Sequence, residues 1–345
     1  MTTPQLAPEG PRTERAPARP RTAPRGARFV PPQRFVPVIA TFVLFVAMFG
    51  AGSARYEGFG DPQVFLTLFV DNAYLIVLAV GMTFVILTGG IDLSVGSVVA
   101  LTGMVASWAL QEGWSAPVVI AAVLLMGTAF GLVQGAIIAV FDIQPFIVTL
   151  AGLFFARGLC YLISTESFPI RDDTFISLAS GSLELPGGYY VSYTAVAAVA
   201  VVAVAAFVLH LTRFGRTVYA IGGSEASAVL MGLQVRRTKI AVYAVSGLCA
   251  SLGGLLFALY SLSGYPLAAL GMELDAIAAV VIGGTLLSGG VGFVVGSMLG
   301  VLVFGTILTL INFDGTLSSW WTRIVIGALL LAFIVMQRAF LRARA

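Results

Sequence analysis

Long apolar runs, separated by short polar or Gly-rich segments, occupy most of the chain after residue 34. A helix needs about 20 apolar residues, within a range of about 17 to 25, to cross the hydrocarbon core of a bilayer. The runs are continuous, whereas the strands of membrane barrels are short and alternate apolar with polar positions. The pattern predicts ten membrane-spanning helices, at 35–52, 64–88, 94–110, 116–141, 146–163, 191–212, 240–262, 274–290, 292–312 and 319–337.

Two of these predicted spans contain features that interrupt them. The second run carries Asp71 and Asn72 near its start, so its crossing part could begin at Ala73, with residues 61–70 as an interfacial piece. The eighth and ninth runs are separated by a Gly-rich bend alone. Nine or eleven spans therefore remain alternatives to ten.

The composition supports a membrane protein. Hydrophobic residues make up 59% of the chain and charged residues 10%, and the mean hydropathy is +0.99. A soluble domain carries about 25% charged residues, so this chain has too little polar surface for a soluble protein of its length. We expect an all-α, polytopic integral membrane protein with one transmembrane domain over 35–337.

The distribution of basic residues predicts the orientation. The first 34 residues contain seven Arg and many Pro, a composition that predicts a disordered tail, either solvated or held on anionic lipid. This tail, the segment 213–239 and the short basic C-terminus 338–345 together hold fifteen of the nineteen cations. Because basic residues are enriched in cytoplasmic segments, both termini are predicted to be cytoplasmic.

Two segments between spans are long enough to carry a function. Residues 164–190 are polar and Gly-rich and are predicted to lie outside the cell. In the cytoplasmic segment 213–239, Ser224 is a good N-cap for a short amphipathic helix from Glu225 to Leu233. Its face carries Val229, Leu230 and Leu233, which would either dock on a partner or lie at the membrane interface.

Several kinds of chemistry have no sequence signal. A phosphate-binding loop needs Gly-x-x-x-x-Gly-Lys-Ser/Thr, and the one lysine of the chain, Lys239, is followed by Ile240. The sequence contains no His/Cys/Asp cluster with the spacing of a zinc site and no run of intramembrane carboxylates typical of a proton relay. We expect no enzyme activity, cofactor, metal site or nucleic-acid partner, and if transport is active its energy should come from a partner protein.

A carboxylate between two apolar runs is the strongest candidate for a functional group. Residues 89–98 read GGIDLSVGSV, which places Asp92 and Ser94 at membrane depth. Their oxygens could cap the helix that starts near Val95. Alternatively, this is a broken helix whose start lines a polar substrate path, with Gly90 and Gly96 allowing the bend and close helix contact.

Three further charged residues lie near the predicted outer ends of spans. Arg157 could reach the lipid headgroups or line an outer mouth. Glu273 and Asp275 open the eighth span and could either cap that helix or gate the path. We name these three residues as candidates for the outer mouth of a substrate path.

Several motifs resemble one known family over residues 36 to 337. The chain is similar to the ribose/xylose/galactofuranose-type permeases of bacterial ABC sugar importers in GMTFVILTGGIDLSVGSVVALTG (81–103), TLAGLFFARG (149–158), TRFGRTVYAIGGSEASAVLMGL (212–233) and ELDAIAAVVIGGTLLSGGVG (273–292). Within that family, three stretches look like a permease subunit of the galactofuranose importer, namely VDNAYLIVLAVGMTF (70–84), residues 273–292 and INFDGTLSSWWTRI (311–324).

The resemblance implies a set of partners. A permease of this family forms a dimer, here a heterodimer with a sister permease, and a separate ABC ATPase binds its cytoplasmic loops. An extracytoplasmic binding protein delivers the monosaccharide, which passes between the two permeases in the lipid bilayer. Residues 224–233 match the position of the coupling helix. The Glu-Ala-Ala…Gly pattern of ABC permeases is met in part by Glu225-Ala226-Ser227, and Gly232 lies one place late, so the match is one of position and not of identity. The candidate coupling residues are Ser224, Glu225, Ala226, Leu230 and Gly232.

Three other functions are also compatible with the sequence. A permease of the same superfamily could carry ribose or a branched-chain amino acid. An ion-coupled carrier would work without an ATPase, and a membrane scaffold or receptor would transport nothing. The small residues inside the spans favour moving, close-packed helices.

Overall fold

The computed structural model describes residues 35–316 and 320–342, with side chains described as far as Met336. The predicted tail 1–34 and the last three residues of the predicted C-terminal segment 338–345 lie outside the described residues. The helices are α1 (Val36–Arg55), α2 (Pro62–Asp71), α3 (Ala73–Leu87), α4 (Val95–Gln111), α5 (Ala116–Phe141), α6 (Pro145–Ile163), α7 (Asp173–Ser180), α8 (Tyr193–Leu211), α9 (Arg213–Gly223), α10 (Glu225–Leu230), α11 (Val235–Ser261), α12 (Met272–Ile282), α13 (Val294–Asp314) and α14 (Trp320–Arg342).

Six of these helices, in the described part of the chain, are long and apolar enough to cross a membrane. They are α1, α5, α6, α8, α11 and α13. The pair α2 and α3 passes the same test as one unit and is bent by 58° at Asn72. Helix α3 starts at Ala73, which confirms the predicted break in the second run.

The remaining predicted spans correspond to shorter helices. Helix α4 has 17 residues, and α14 has an apolar part from Trp320 to Met336. The predicted span 274–290 is wrong in its second half, because α12 ends at Ile282 and residues 283–293 are not helical. At about 1.5 Å of rise per residue, the 11 residues of α12 cover roughly half of a bilayer core.

Helices α3 and α11 form the centre of the molecule. Every residue of α3 except Tyr74 is buried, which is typical of a helix surrounded by other helices. Helix α11 packs along α5 through small residues, and a Cβ atom on Gly131 would overlap the carbonyl oxygen of Tyr243. Such close approach of two backbones is how membrane helices gain dispersion energy, since lipid removes most of the hydrophobic driving force between them.

The predicted outer segment 164–190 carries regular secondary structure. It contains α7, β1 (Phe168–Pro169) and β2 (Ser182–Leu185), and β3 (Tyr189–Ser192) begins at its end, while β4 (Ser263–Gly264) follows α11. Strand β1 pairs with β4, and β2 pairs with β3 in an antiparallel hairpin. Gln63 fixes the hairpin to α2, since its amide donates to the Tyr190 carbonyl (3.1 Å) and accepts from the Tyr190 amide (3.0 Å).

The two ends of the helical body differ in structure. One end carries α9, α10 and the segment 283–293, which contacts the start of α1 where Gly284 meets Pro37. We call it the coupling end, after the coupling helix that the family resemblance implies there. The opposite end carries the β2–β3 hairpin and the contact in which the Tyr56 hydroxyl donates to Asp314 (2.9 Å).

Candidate functional site

Asp92 lies in the non-helical segment between α3 and α4 and is only 2% exposed. Its Oδ1 accepts hydrogen bonds from the Ser94 amide (3.0 Å) and the Ser94 hydroxyl (2.6 Å). Its Oδ2 accepts from the Ser246 hydroxyl of α11 (2.7 Å). A buried carboxylate is costly unless hydrogen-bonded, and these three donors supply that compensation.

The capping alternative for Asp92 and Ser94 is wrong in its proposed form. Helix α4 begins at Val95, and no described side chain caps its first turn. The Asp92 carboxylate bonds instead to the amide of Ser94, which precedes the helix, and to α11. Asp92 therefore joins the broken segment to a neighbouring helix.

The position of Ser246 shows how deep this cluster lies. Ser246 is the twelfth residue of the 27-residue helix α11. At about 1.5 Å per residue it is roughly 17 Å from the start of the helix, near its middle. Gln134 of α5 adds an amide oxygen 3.2 Å from the Ser94 hydroxyl. Four polar side chains from three parts of the chain therefore meet inside the helical body.

The two predicted path glycines make close contacts on different sides of this cluster. A Cβ on Gly90 would lie 2.5 Å from the hydroxyl of Tyr243, whose oxygen is buried and has no hydrogen-bond partner among the described residues. A Cβ on Gly96 would overlap Oε2 of Glu273. Gly96 thus brings the first turn of α4 against a residue that we assigned to the outer mouth.

The three outer-mouth candidates make separate contacts. Nη1 of Arg157 donates to the carbonyl oxygens of Pro266 (2.6 Å) and Ala268 (2.8 Å), which ties α6 to the segment before α12. Oε2 of Glu273 is buried and, within the described residues, has no hydrogen-bond partner. Asp275 forms an ion pair with Arg323 of α14 at 2.6 Å.

A short helix lies where we predicted one in the segment 213–239, but it is shorter than expected. Ser224 is its N-cap, with the Ser227 amide donating to the Ser224 hydroxyl at 3.3 Å. Helix α10 ends at Leu230, so the predicted extension to Leu233 is wrong. The chain turns at Gly232, whose φ of +75° lies in the left-handed region that glycine adopts without strain.

The exposed tip of this helix is apolar. Val229, Leu230 and Met231 are 57%, 88% and 66% exposed, and Ala226 is also exposed. Leu233, which we predicted on the same face, packs instead in a small buried cluster; the cluster is completed by Ile221, Ala228 and Val235. The sequence pattern missed Met231 because the predicted helix ran to Leu233, whereas the observed helix ends at Leu230 and leaves Met231 exposed.

Glu225 anchors the helix to the rest of the coupling end. Its Oε1 lies 2.6 Å from Nζ of Lys239 in α11. Among the described residues, no group of three or more His, Cys, Asp or Glu side chains could hold a metal ion.

The fold defines a class, a multi-pass helical membrane protein. Over residues 64–334 the chain matches the family described as branched-chain amino acid transport system / permease component. The chain belongs to this family.

Individual relatives cover most of the chain. It is 49% identical over 307 residues to the inner membrane ABC transporter permease protein YjfF of Escherichia coli (strain K12), which covers 89% of this chain and 93% of that protein. It is 42% identical to the fructose import permease protein FruG of Bifidobacterium longum (strain NCC 2705), covering 89% and 92%. It is 41% identical to the ribose import permease protein RbsC of Escherichia coli (strain K12), covering 76% and 81%. No solved structure matches the chain.

The resemblance drawn from the sequence motifs is confirmed by these relatives. One is an ABC transporter permease by name, and two are sugar import permeases. All three are described as permease proteins, in agreement with the expectation that ATP hydrolysis belongs to another subunit.

Proposed function

We propose that this chain is the transmembrane permease subunit of an ABC sugar importer of the inner membrane, driven by a separate ATPase. The observation that carries the proposal is the apolar tip Val229–Leu230–Met231, which projects from the coupling end. Leu230 is 88% exposed at the end of a capped and anchored helix. An apolar tip of this kind fits a groove on a partner protein.

The proposed orientation places the coupling end in the cytoplasm. This end carries a high density of basic residues, namely Arg213, Arg216, Arg236, Arg237 and Lys239. Counting the α2–α3 pair, α4, the α12 region and α14 with the six long helices gives ten crossings and two cytoplasmic termini. The positive-inside rule supports this arrangement.

The proposed partners occupy different faces of the molecule. The ATPase would contact α10, with Ser224, Glu225, Ala226, Leu230 and Gly232 shaping the contact. A sister permease would complete a heterodimer within the bilayer. A sugar-binding protein would dock at the opposite end, where Gln63 fixes the β2–β3 hairpin to α2.

The proposed mechanism is alternating access. Closure of the ATPases on ATP would push α10, and the spans would rock so that the sugar passes between the two permeases. Asp92, Ser94, Gly90 and Gly96 are proposed for the path. The outer mouth is assigned to Arg157, Glu273 and Asp275. A few scattered hydrogen-bond donors and acceptors suit such a path, because the sugar must not bind too tightly to be released.

The proposed substrate is galactofuranose. Support comes from the resemblance of residues 70–84, 273–292 and 311–324 to one subunit of the galactofuranose importer. Ribose and fructose are the second candidates, because two relatives are named for their import. A branched-chain amino acid is a third, since the family description names that cargo.

Reconstitution tests the function and the substrate together. The chain is placed in liposomes with its ATPase, sister permease and binding protein, and uptake of labelled galactofuranose, ribose, fructose and leucine is followed with ATP on the ATPase side. We expect galactofuranose uptake only in the complete system. Uptake of another of the four solutes would keep the family and replace the substrate.

The same liposomes separate an importer from an ion-coupled carrier. Uptake by an ABC importer should stop with vanadate, which blocks the ATPase, and continue with an uncoupler. Uptake by this chain alone that survives vanadate and collapses with the uncoupler would reject the ABC proposal.

A further inference from the structure

Three separate segments meet at the coupling end with backbone in direct contact. They are the end of α3 (Leu87 with Gly89), the end of α9 (Gly222) and the segment 283–293 (Gly289 and Gly290). The Gly290 amide donates a hydrogen bond of 2.9 Å to the Leu87 carbonyl. We call these five residues the glycine junction.

The glycine junction has no room for a side chain at its centre. A Cβ on Gly222 would overlap both the carbonyl oxygen of Leu87 and the amide nitrogen of Gly290. A Cβ on Gly289 would lie 2.8 Å from the Gly89 amide nitrogen and 3.0 Å from the Gly222 Cα. Backbone atoms cannot rotate away as a side chain does, so a shift of one segment displaces the other two.

The α9 side of the junction leads directly to α10. Ser224 ends α9 and is also the N-cap of α10, and its amide donates to the Ala220 carbonyl at 3.1 Å. Gly222 lies two residues before this shared cap. A displacement of α10 therefore acts on Gly222 through a continuous hydrogen-bonded backbone.

The other two sides lead to the candidate path. Gly89 is three residues before Asp92, in the segment that breaks α3 from α4. The segment 283–293 follows α12, whose first turn carries Glu273 and Asp275. The junction is therefore connected to Asp92 by three residues of chain, and to Glu273 and Asp275 through the length of α12.

A side-chain hydrogen bond adds a second tie between α9 and the segment 283–293. The hydroxyl of Tyr219 donates to the carbonyl oxygen of Gly292 at 2.7 Å. Burial raises the pKa of Tyr219 to about 12, so the hydroxyl keeps its proton and remains a donor near neutral pH.

We propose that the glycine junction transmits the displacement of α10 to the Asp92 segment and to α12, with Gly222 and Tyr219 as positioning residues. The inference rests on the proposed coupling of α10 to an ATPase. Packed backbone contacts transmit small shifts as steps between discrete arrangements, which is what alternation between two access states requires.

Gly222→Ala and Gly223→Ala form a matched pair that tests the junction. Both add one methyl group to the end of α9, but nothing in the described part of the chain lies within 4 Å of a Cβ on Gly223. We expect Gly222→Ala to lower uptake per ATP hydrolysed by about tenfold, within the range of typical coupling energies. Gly223→Ala should match the wild type.

The readouts are solute uptake, ATP hydrolysis and ATPase binding in the reconstituted complex. If Gly222→Ala keeps the wild-type ratio of uptake to ATP hydrolysis, the proposed role of the junction is overturned and the proposed function is not. Absence of ATP-dependent uptake by the wild type would overturn the proposed function together with it.

Tyr219→Phe decides the question if Gly222→Ala does not fold. This variant removes the hydrogen bond to Gly292 and keeps the ring, so little change in folding is expected. A several-fold lower ratio of uptake to hydrolysis, with ATPase binding unchanged, would support the junction. An unchanged ratio would contradict it.

Discussion

The hydroxyl of Ser246 donates a hydrogen bond of 2.7 Å to Oδ2 of Asp92, near the middle of α11. This bond joins a continuous helix to the break between α3 and α4. Because the carboxylate also accepts two hydrogen bonds from Ser94, its position is fixed by three donors. The relationship makes Asp92 both a structural tie and the leading candidate for the substrate path.

Asp92→Asn separates these two roles. An Asn side chain keeps the shape and one acceptor, while its amide group can donate to the Ser246 hydroxyl, so we expect little loss of folded protein. If the negative charge takes part in the passage of the sugar, uptake should fall tenfold or more, and tenfold corresponds to about 1.4 kcal/mol of activation free energy. Uptake and thermal stability are measured in parallel.

Ser246→Ala is the control for Asp92→Asn. It removes one hydrogen bond from the same carboxylate, which should cost about 1–3 kcal/mol of stability because a buried acceptor loses a donor. Equal losses of folded protein and of uptake in Asp92→Asn would assign Asp92 a purely structural role.

Leu230→Glu tests the apolar tip as the ATPase contact. The side chain is 88% exposed, so the substitution should change stability by no more than about 0.5 kcal/mol. Binding of the ATPase should be lost, because a charge would have to be buried in an apolar groove. Binding is measured by co-purification from the membrane.

Leu183→Glu provides the matched control at the opposite end. Leu183 lies in β2 and is 48% exposed. Normal ATPase binding is expected for this variant. Retained binding in Leu230→Glu would contradict the coupling role of the tip.

Glu225→Arg reverses the charge that faces Lys239. The 2.6 Å ion pair becomes a repulsion at the start of α10, and we expect ATPase coupling to be lost while the protein stays folded. Stimulation of ATP hydrolysis by sugar and binding protein is the measurement. The paired variant Glu225→Arg with Lys239→Glu should recover part of the stimulation, and unchanged stimulation in the single variant would contradict the prediction.

Arg157→Met tests whether this residue holds the segment before α12. The variant keeps an apolar stem but leaves the carbonyls of Pro266 and Ala268 without their guanidinium donor. We expect a loss of about 1–3 kcal/mol in stability and faster proteolysis near Pro266. Arg157→Lys should recover part of the loss, and equal effects of both variants would exclude a role for the charge.

Single cysteines at positions 183 and 230 test the orientation. Both native cysteines, Cys160 and Cys249, are free and buried, so they should label slowly. A membrane-impermeant thiol reagent added outside intact cells should label Leu183→Cys and leave Leu230→Cys unlabelled until the membrane is opened. The reverse pattern would place the coupling end outside.

The sequence by itself determined the class and the longest helices. A continuous run of twenty or more apolar residues crosses a bilayer as a helix, because only a helix forms all of its backbone hydrogen bonds within the segment. The break before Ala73 and the N-cap at Ser224 were also predictable, because polar and capping residues act within one or two turns. The family motifs added the relationship to sugar permeases.

Only the tertiary structure decided which polar groups meet. Ser246 lies 154 positions after Asp92, and no local pattern links the two. The same holds for Gly222, Leu87 and Gly290, whose contact depends on how the ends of α9 and α3 pack against the segment 283–293. The predicted span 274–290 was wrong in its second half, because the glycines there adopt a turn that closes against α3. Apolar content sets which segments enter the membrane, whereas long-range packing selects where each helix stops.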